Sequence, residues 1–93
     1  MDRQALIAAG FVVTRYDGDP DEYLTKRQPV ETLPYANEHI VDGEFVVEGM
    51  TAITEVLPDG SVQLLISEAD YHEGPHPAGS EDAQALLKDA LGK

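Results

Sequence analysis

Cysteine and tryptophan are absent from this 93-residue sequence, and other aromatic residues are few: two phenylalanines and four tyrosines. The lack of cysteine excludes a disulfide framework and thiolate chemistry, and it is typical of proteins in a reducing compartment. With so few aromatic rings, we expect a hydrophobic core built mainly from valine, isoleucine, leucine and alanine.

Long apolar runs are also missing. No run approaches the ~20 apolar residues that a membrane-spanning helix needs. The apolar part of the opening stretch MDRQALIAAG is too short for the central region of a signal peptide. We therefore expect a cytoplasmic protein without membrane contact, whose mature chain starts at Met1.

Basic residues are scarce as well. Six Lys and Arg stand against 18 Asp and Glu, so the formal net charge is −12. No Lys or Arg lies between Arg27 and Lys88, whereas this interval holds many carboxylates: Glu31, Glu38, Asp42, Glu44, Glu48, Glu55, Asp59, Glu68, Asp70, Glu73, Glu81 and Asp82. The resulting negative field disfavours direct binding to nucleic acid or to an anionic membrane, because contact with phosphates requires Lys and Arg. It favours a protein partner with a basic surface. The alternative is acidity that serves solubility alone, in a protein with a structural or subunit role.

The length and the hydrophobic fraction of 42% predict a single globular domain over residues 1–93. At its start, DRQALIAAG predicts a short helix that ends at Gly10. A strand over residues 11–16, a turn-rich loop over 17–22 and a return strand over 23–28 follow.

The middle of the chain contains Pro29, Pro34 and the Asp42-Gly43 pair. The two prolines predict a crossing or an irregular edge, since proline cannot donate to a strand ladder. Asp42-Gly43 favours a hairpin turn between strands at 36–41 and 44–48. A helical turn over residues 34–39 is the competing prediction.

The stretch MTAITEVLPDGSVQLLIS predicts a hairpin in which Leu57 faces Ser61, with a turn at Pro58-Asp59-Gly60. Strand alternation then defines a core face of Ala52, Thr54, Val56, Val62, Leu64 and Ile66. The opposite face holds Ile53, Glu55, Leu57, Ser61, Gln63 and Leu65.

Beyond this hairpin, residues 67–70 continue the last strand and residues 71–79 form a connection that glycine and proline keep non-helical. Ser80 caps a C-terminal helix whose apolar stripe is Ala83, Leu86, Leu87, Ala90 and Leu91. The prediction is an α+β fold: an antiparallel β-sheet of four to five strands built from hairpins, with a short N-terminal helix and a C-terminal helix packed on the sheet.

Ile53, Leu57 and Leu65 predict an apolar patch on the sheet face opposite the core. With Glu55 on the same face and Tyr71 nearby, the patch is a candidate interaction surface. If it is open, it favours a homodimer. The alternative is burial beneath the N-terminal helix in a three-layer arrangement.

The segment His72-Glu73-x-x-His76 is the sharpest candidate for chemistry. Imidazole and carboxylate are good ligands for zinc or nickel. On a loop these three residues are able to surround an ion, with Asp70 or His39 completing the set. A hydrolytic arrangement of Ser67 or Ser80 with His72 lacks a nucleophile-elbow sequence. We therefore predict a protein that is not an enzyme and has no cofactor, with metal binding by His72, Glu73 and His76 as the alternative.

Three segments resemble the small acidic accessory proteins encoded by bacteriophages and prophages: LIAAGF, VLPDGSVQLLI and SEDAQALLKDAL. These proteins often begin with a short helix that ends in a glycine–aromatic step, continue through hairpins with a DG turn, and close with a helix opened by Ser or Thr and acids. The resemblance implies the same α+β architecture and a role in binding host proteins. It implies no site residues.

Overall fold

The computed structural model describes residues 3–36 and 49–92. Its helices are α1 (Arg3–Ala8) and α2 (Glu81–Leu91), and its strands are β1 (Val12–Thr14), β2 (Tyr23–Pro29), β3 (Thr51–Val56), β4 (Val62–Ile66) and β5 (Tyr71–His76). Neighbouring strands pair antiparallel in the order β1-β2-β3-β4-β5. The predicted α+β fold is confirmed.

Helix α1 ends at Ala8, and Gly10 provides the predicted left-handed stop two residues later. The backbone N–H of Gly10 donates to Ile7 O at 3.0 Å, and the N–H of Phe11 donates to Leu6 O at 3.0 Å. This pattern requires the positive φ of 106° that glycine tolerates. The buried side chains of Leu6 and Phe11 belong to one apolar cluster, so the LIAAGF segment both stops the helix and anchors it.

The β3–β4 hairpin has the predicted register. Leu57 N–H donates to Ser61 O at 2.9 Å, and Ile53 lies opposite Leu65. The predicted core face is buried, with Val56 alone only half-buried. Pleating therefore sends one set of side chains towards the helices and the other set away from them.

Helix α2 packs on the core face. Ser80 Oγ accepts a hydrogen bond from Ala83 N–H at 3.3 Å, and Gly92 ends the helix at a φ of 75°. The main core contains Ala83 and Leu86, while Ala90 lies in the cluster with Leu6 and Phe11. Both helices thus cover the same face, and the alternative in which α1 covers Ile53 and Leu65 is wrong.

The C-terminal half of α2 reaches β2. The carbonyl of Ala90 accepts hydrogen bonds from Lys26 Nζ at 2.7 Å and from Gln28 Nε2 at 3.4 Å. A cation at the C-terminal end of a helix is favourable because the last carbonyls carry partial negative charge. Helix α2 therefore crosses the sheet from its start just after β5 to its end over β2.

Residues 34–36 are helical, so the helical alternative holds for the described part of residues 34–39. The carboxylate of Asp89 on α2 caps this turn: it accepts from Tyr35 N–H at 3.0 Å and from Ala36 N–H at 2.9 Å. The predicted hairpin at Asp42-Gly43 lies outside the described residues.

Two predictions after β4 are wrong. Residues 67–70 do not extend the strand, because Ser67–Ala69 form a 3₁₀ turn and Asp70 is left-handed at a φ of 51°. The predicted connection at 71–79 contains β5, in which Tyr71 pairs with Ile66 and His72 with Leu65. A register irregularity between Val62 and Leu64 accommodates the glycine and proline that had indicated a loop.

Candidate functional site

The sheet face without helices is the first candidate surface. The strand registers place these side chains on it: Val12, Thr14, Tyr23, Thr25, Arg27, Ile53, Glu55, Gln63, Leu65 and His72. We call this surface the open face. No helix of the described residues lies on it.

A groove of about 500 Å³ runs along the open face. Its lining combines apolar Val12, Ile53 and Leu65 with polar Thr14, Thr25 and Arg27. Arg27 is exposed and makes no ion pair within the described residues. Lys26 also lines the groove, so the groove combines apolar, hydroxyl and basic groups.

Glu55 is the buried charge of the open face, with only 4% of its surface exposed. Its Oε2 accepts from the Tyr16 hydroxyl at 2.5 Å, and its Oε1 accepts from Gln63 Nε2 at 2.5 Å. Both carboxylate oxygens therefore have a donor, as a buried charge requires. The hydrogen bond to Glu55, together with burial, raises the pKa of Tyr16 to about 12.

Gln63 extends this hydrogen-bonded chain to β5. Its Oε1 lies 2.8 Å from His72 Nε2. Tyr16, Glu55, Gln63 and His72 thus form one polar line from the end of β1 to β5. The line fixes these side chains across the sheet and accounts for the burial of the carboxylate.

A second polar cluster lies on the helix-bearing side, where β5 meets the start of α2. Glu73 Oε1 accepts from the Tyr71 hydroxyl at 2.9 Å, and Glu73 Oε2 lies 3.0 Å from His76 Nε2. His76 Nδ1 is 3.8 Å from Asp82 Oδ2. Burial and the bond to Glu73 raise the pKa of Tyr71 to about 12. These contacts join the last strand to the first turn of α2.

The three candidate metal ligands are placed on different sides of the sheet. Glu73 and His76 meet in the cluster beside α2, whereas His72 lies on the open face and contacts Gln63. Both ring nitrogens of His76 already face carboxylates. Among the described residues, no group of three His, Cys, Asp or Glu side chains is positioned to hold a metal ion.

The serine candidates are used locally. Ser80 Oγ caps α2, and Ser67 opens the 3₁₀ turn. Within the described ranges, neither hydroxyl is hydrogen-bonded to a histidine. The contacts therefore give no nucleophile–base pair for a hydrolytic mechanism.

The candidate interaction residues divide into three locations. Ile53, Glu55 and Leu65 lie together on the open face. Leu57 lines a separate groove at the end of the sheet, beside Arg3 and Leu6 of α1. Tyr71 packs against the main core on the helix-bearing side. The predicted patch thus exists around Ile53 and Leu65 and does not include the other two apolar residues.

Charge is distributed unevenly along the sheet. The basic side chains of the described part lie on α1, in the segment directly after β1, on β2 and in the last turn of α2: Arg3, Arg15, Lys26, Arg27 and Lys88. Exposed carboxylates precede and follow β5, namely Glu68, Asp70, Glu81 and Asp82. Among the described residues, the charged side chains on the β5 side are therefore all acidic, whereas the β1–β2 side carries both acidic and basic side chains.

Two members of the polar line, Gln63 and Tyr16, are not among the site residues predicted from the sequence. The role of Gln63 was accessible, since the register that pairs Leu57 with Ser61 also places Gln63 opposite Glu55. Tyr16 follows a strand end, and no local pattern indicates that its hydroxyl reaches β3. Long-range contacts of this kind depend on the path of the loop after β1.

No known protein family, curated protein or solved structure matches the chain. In the described ranges, no helix is both long enough and apolar enough to cross a membrane.

Proposed function

We propose that this chain is a non-enzymatic interaction protein that binds the basic surface of a cytoplasmic protein partner. The contact surface is the set of exposed carboxylates around β5, namely Glu68, Asp70, Glu81 and Asp82, which we call the acidic edge. The observation that carries the proposal is the charge separation along the sheet. Lys and Arg are confined to the opposite side of the described structure.

The carboxylates of the acidic edge are available for an external cation. Glu68, Asp70 and Glu81 are exposed and make no ion pair within residues 3–36 and 49–92. On the other side, Glu22 pairs with both Arg3 and Arg15 at 3.2 Å. Lys26 is engaged by the carbonyl of Ala90. Charges near β1 and β2 are thus neutralised within the molecule. The carboxylates of the acidic edge remain able to attract a basic partner.

The same electrostatics argue against nucleic acid as the direct ligand. Phosphate contacts need Lys and Arg, and two of the basic residues near β1 already pair with Glu22.

Resemblance to phage and prophage accessory proteins supports a host protein as the partner. Phage structural or replication genes beside the coding sequence would support that origin, whereas an operon with an enzyme would favour a subunit role.

A capture experiment tests the proposal. The tagged chain is incubated with cell lysate at low and high salt, beside the double variants Glu68→Gln/Asp70→Asn and Asp17→Asn/Asp21→Asn. Both variants remove two exposed charges, one pair at the acidic edge and one pair in the β1–β2 loop. We expect a salt-sensitive partner that the wild type and the loop variant retain and the acidic-edge variant loses.

Two results would count against this function. The first is the absence of any salt-sensitive partner, which favours acidity that serves solubility alone. The second is equal loss of a partner in both double variants, since this indicates a response to net charge and not to the acidic edge.

A further inference from the structure

The outer edge of β1 has no strand partner in the described structure, because β1 is the first strand in the sheet order. The exposed large hydrophobic residues of the described ranges lie in β1 or within five positions of it along the chain. They are Ile7 at 39%, Val12 at 63%, Val13 at 37% and Tyr16 at 46% of their surface. An unpaired strand edge bordered by apolar side chains is a template for pairing with another strand.

The other edge of the sheet is protected against such pairing. Strand β5 contains Pro75, which has no N–H to donate, and its pairing with β4 is irregular between Val62 and Leu64. Exposed carboxylates flank it. By contrast, β1 has the sequence VVT, without proline, charge or bulge. Proline and irregular pairing therefore block edge pairing at β5, whereas β1 is limited only by its length of three residues.

From this asymmetry we infer that β1 pairs antiparallel with β1 of a second copy of the chain. The pairing follows a twofold axis and joins the two five-stranded sheets into one. A twofold interface presents the same strand from both copies, so each supplies the N–H and C=O groups that the other needs.

Charge placement favours a second copy in the antiparallel orientation. Arg3, Arg15 and Glu22 meet at the end of β1 where Thr14 pairs with Tyr23. At the opposite end the ammonium group of Lys26 lies beside Gly10, but it is engaged by the carbonyl of Ala90. Antiparallel pairing keeps the Arg3, Arg15 and Glu22 groups of the two copies apart, whereas parallel pairing would superimpose them. It also brings two acidic chains together on the side where acidic and basic residues are mixed, so that their mutual repulsion is lower there than at the acidic edge.

Both faces of the joined sheet gain apolar contacts in this arrangement. Val13 pairs with Leu24 and lies on the helix-bearing face, while Val12 pairs with Thr25 and borders the open face. Each copy would bury Val13 on the helix-bearing face of the junction and Val12 on the open face. The open-face groove would then continue from one copy into the other.

Sedimentation velocity over a range of concentrations tests this inference on the full chain. We expect a monomer–dimer equilibrium whose dissociation constant rises by about tenfold or more in Val13→Lys. His72→Lys, on the opposite edge strand, is the matched control and leaves the equilibrium unchanged. A wild type that stays monomeric throughout, or equal weakening by both variants, overturns the inference.

Val13→Lys also separates edge pairing from stacking of two open faces, because Val13 is not on the open face. A dimer that survives this change refutes edge pairing.

Single-cysteine variants give a second readout, since no native cysteine competes. Mild oxidation is expected to link Val13→Cys, near the axis, and not Gln84→Cys on the exposed side of α2. Equal linkage at both positions contradicts the inference.

Discussion

The hydroxyl of Tyr16 donates a hydrogen bond of 2.5 Å to Oε2 of Glu55, although 39 positions separate the two residues in the chain. This contact ties the segment after β1 to the centre of the sheet. It also supplies half of the hydrogen bonding that allows the carboxylate of Glu55 to be buried.

Tyr16→Phe is therefore expected to lower the free energy of unfolding by about 1 kcal/mol, because it leaves Glu55 Oε2 without its donor. Tyr23→Phe is the matched control. The Tyr23 hydroxyl donates to Asp19 at 2.7 Å, and Asp19 lies in a loop where water can replace the lost donor. Urea denaturation of both variants measures the difference, and an equal loss in the two would refute the role given to Glu55.

Asp89→Ala is expected to cost about 1–3 kcal/mol, since it leaves two backbone N–H groups without their acceptor. The residue is 8% exposed and caps the turn at Tyr35 and Ala36. Hydrogen exchange should accelerate at these two amides. Lys88→Ala, the exposed neighbour on the same helix, serves as control. Unchanged exchange at Tyr35 and Ala36 in Asp89→Ala would show that the cap is dispensable.

Alkaline pH is expected to destabilise the fold. The pKa values of Tyr16, Tyr23 and Tyr71 are raised from 10.0 to about 12, with hydrogen bonds to carboxylates and burial as the main causes. A raised pKa means that the unfolded chain loses its tyrosine protons first, so stability present below pH 10 is lost as the pH rises towards 12. Urea midpoints across this interval measure the decline. Tyr71→Phe should make the decline shallower, and an unaltered slope would contradict the assignment.

Gly74→Ala is expected to destabilise more than Gly79→Ala. Both glycines have a positive φ, of 98° and 79°, which costs an alanine about 1 kcal/mol. At Gly74 a Cβ would also lie 2.8 Å from Val62 O and 3.0 Å from His76 N, whereas at Gly79 it meets open space. Overpacking against backbone adds about 1–3 kcal/mol. Thermal unfolding compares the two, and equal losses would show that the β4–β5 contact yields without cost.

The parts of the fold that could be predicted are those with a complete local signal. Gly10 with Phe11, the turn after Leu57 and the Ser80 cap each determine their own geometry, and residue alternation then assigns the β3 and β4 faces. Strand β5 lacked such a signal, because its glycine and proline are typical of loops. Its pairing with β4 is a tertiary effect that outweighs local preference.

The candidate site was less accessible from sequence. Ile53, Glu55 and Leu65 were placed together correctly by the hairpin register. Alternation along β5 separates His72 from Glu73, and the register irregularity between Val62 and Leu64 returns His76 to the face of Glu73. A loop at residues 71–79, which the glycine and proline content predicts, does not imply this separation. The acidic edge depends on which elements adjoin β5, which composition alone does not determine.

The most direct test of the acidic edge is the salt dependence of affinity for the captured partner, measured by titration calorimetry. The slope of log Kd against log salt concentration reports how many ion contacts the complex makes. For Glu68→Gln/Asp70→Asn we expect weaker binding and a shallower slope than for the wild type. Asp17→Asn/Asp21→Asn should retain the wild-type slope. Equal slopes for all three proteins would contradict binding through the acidic edge.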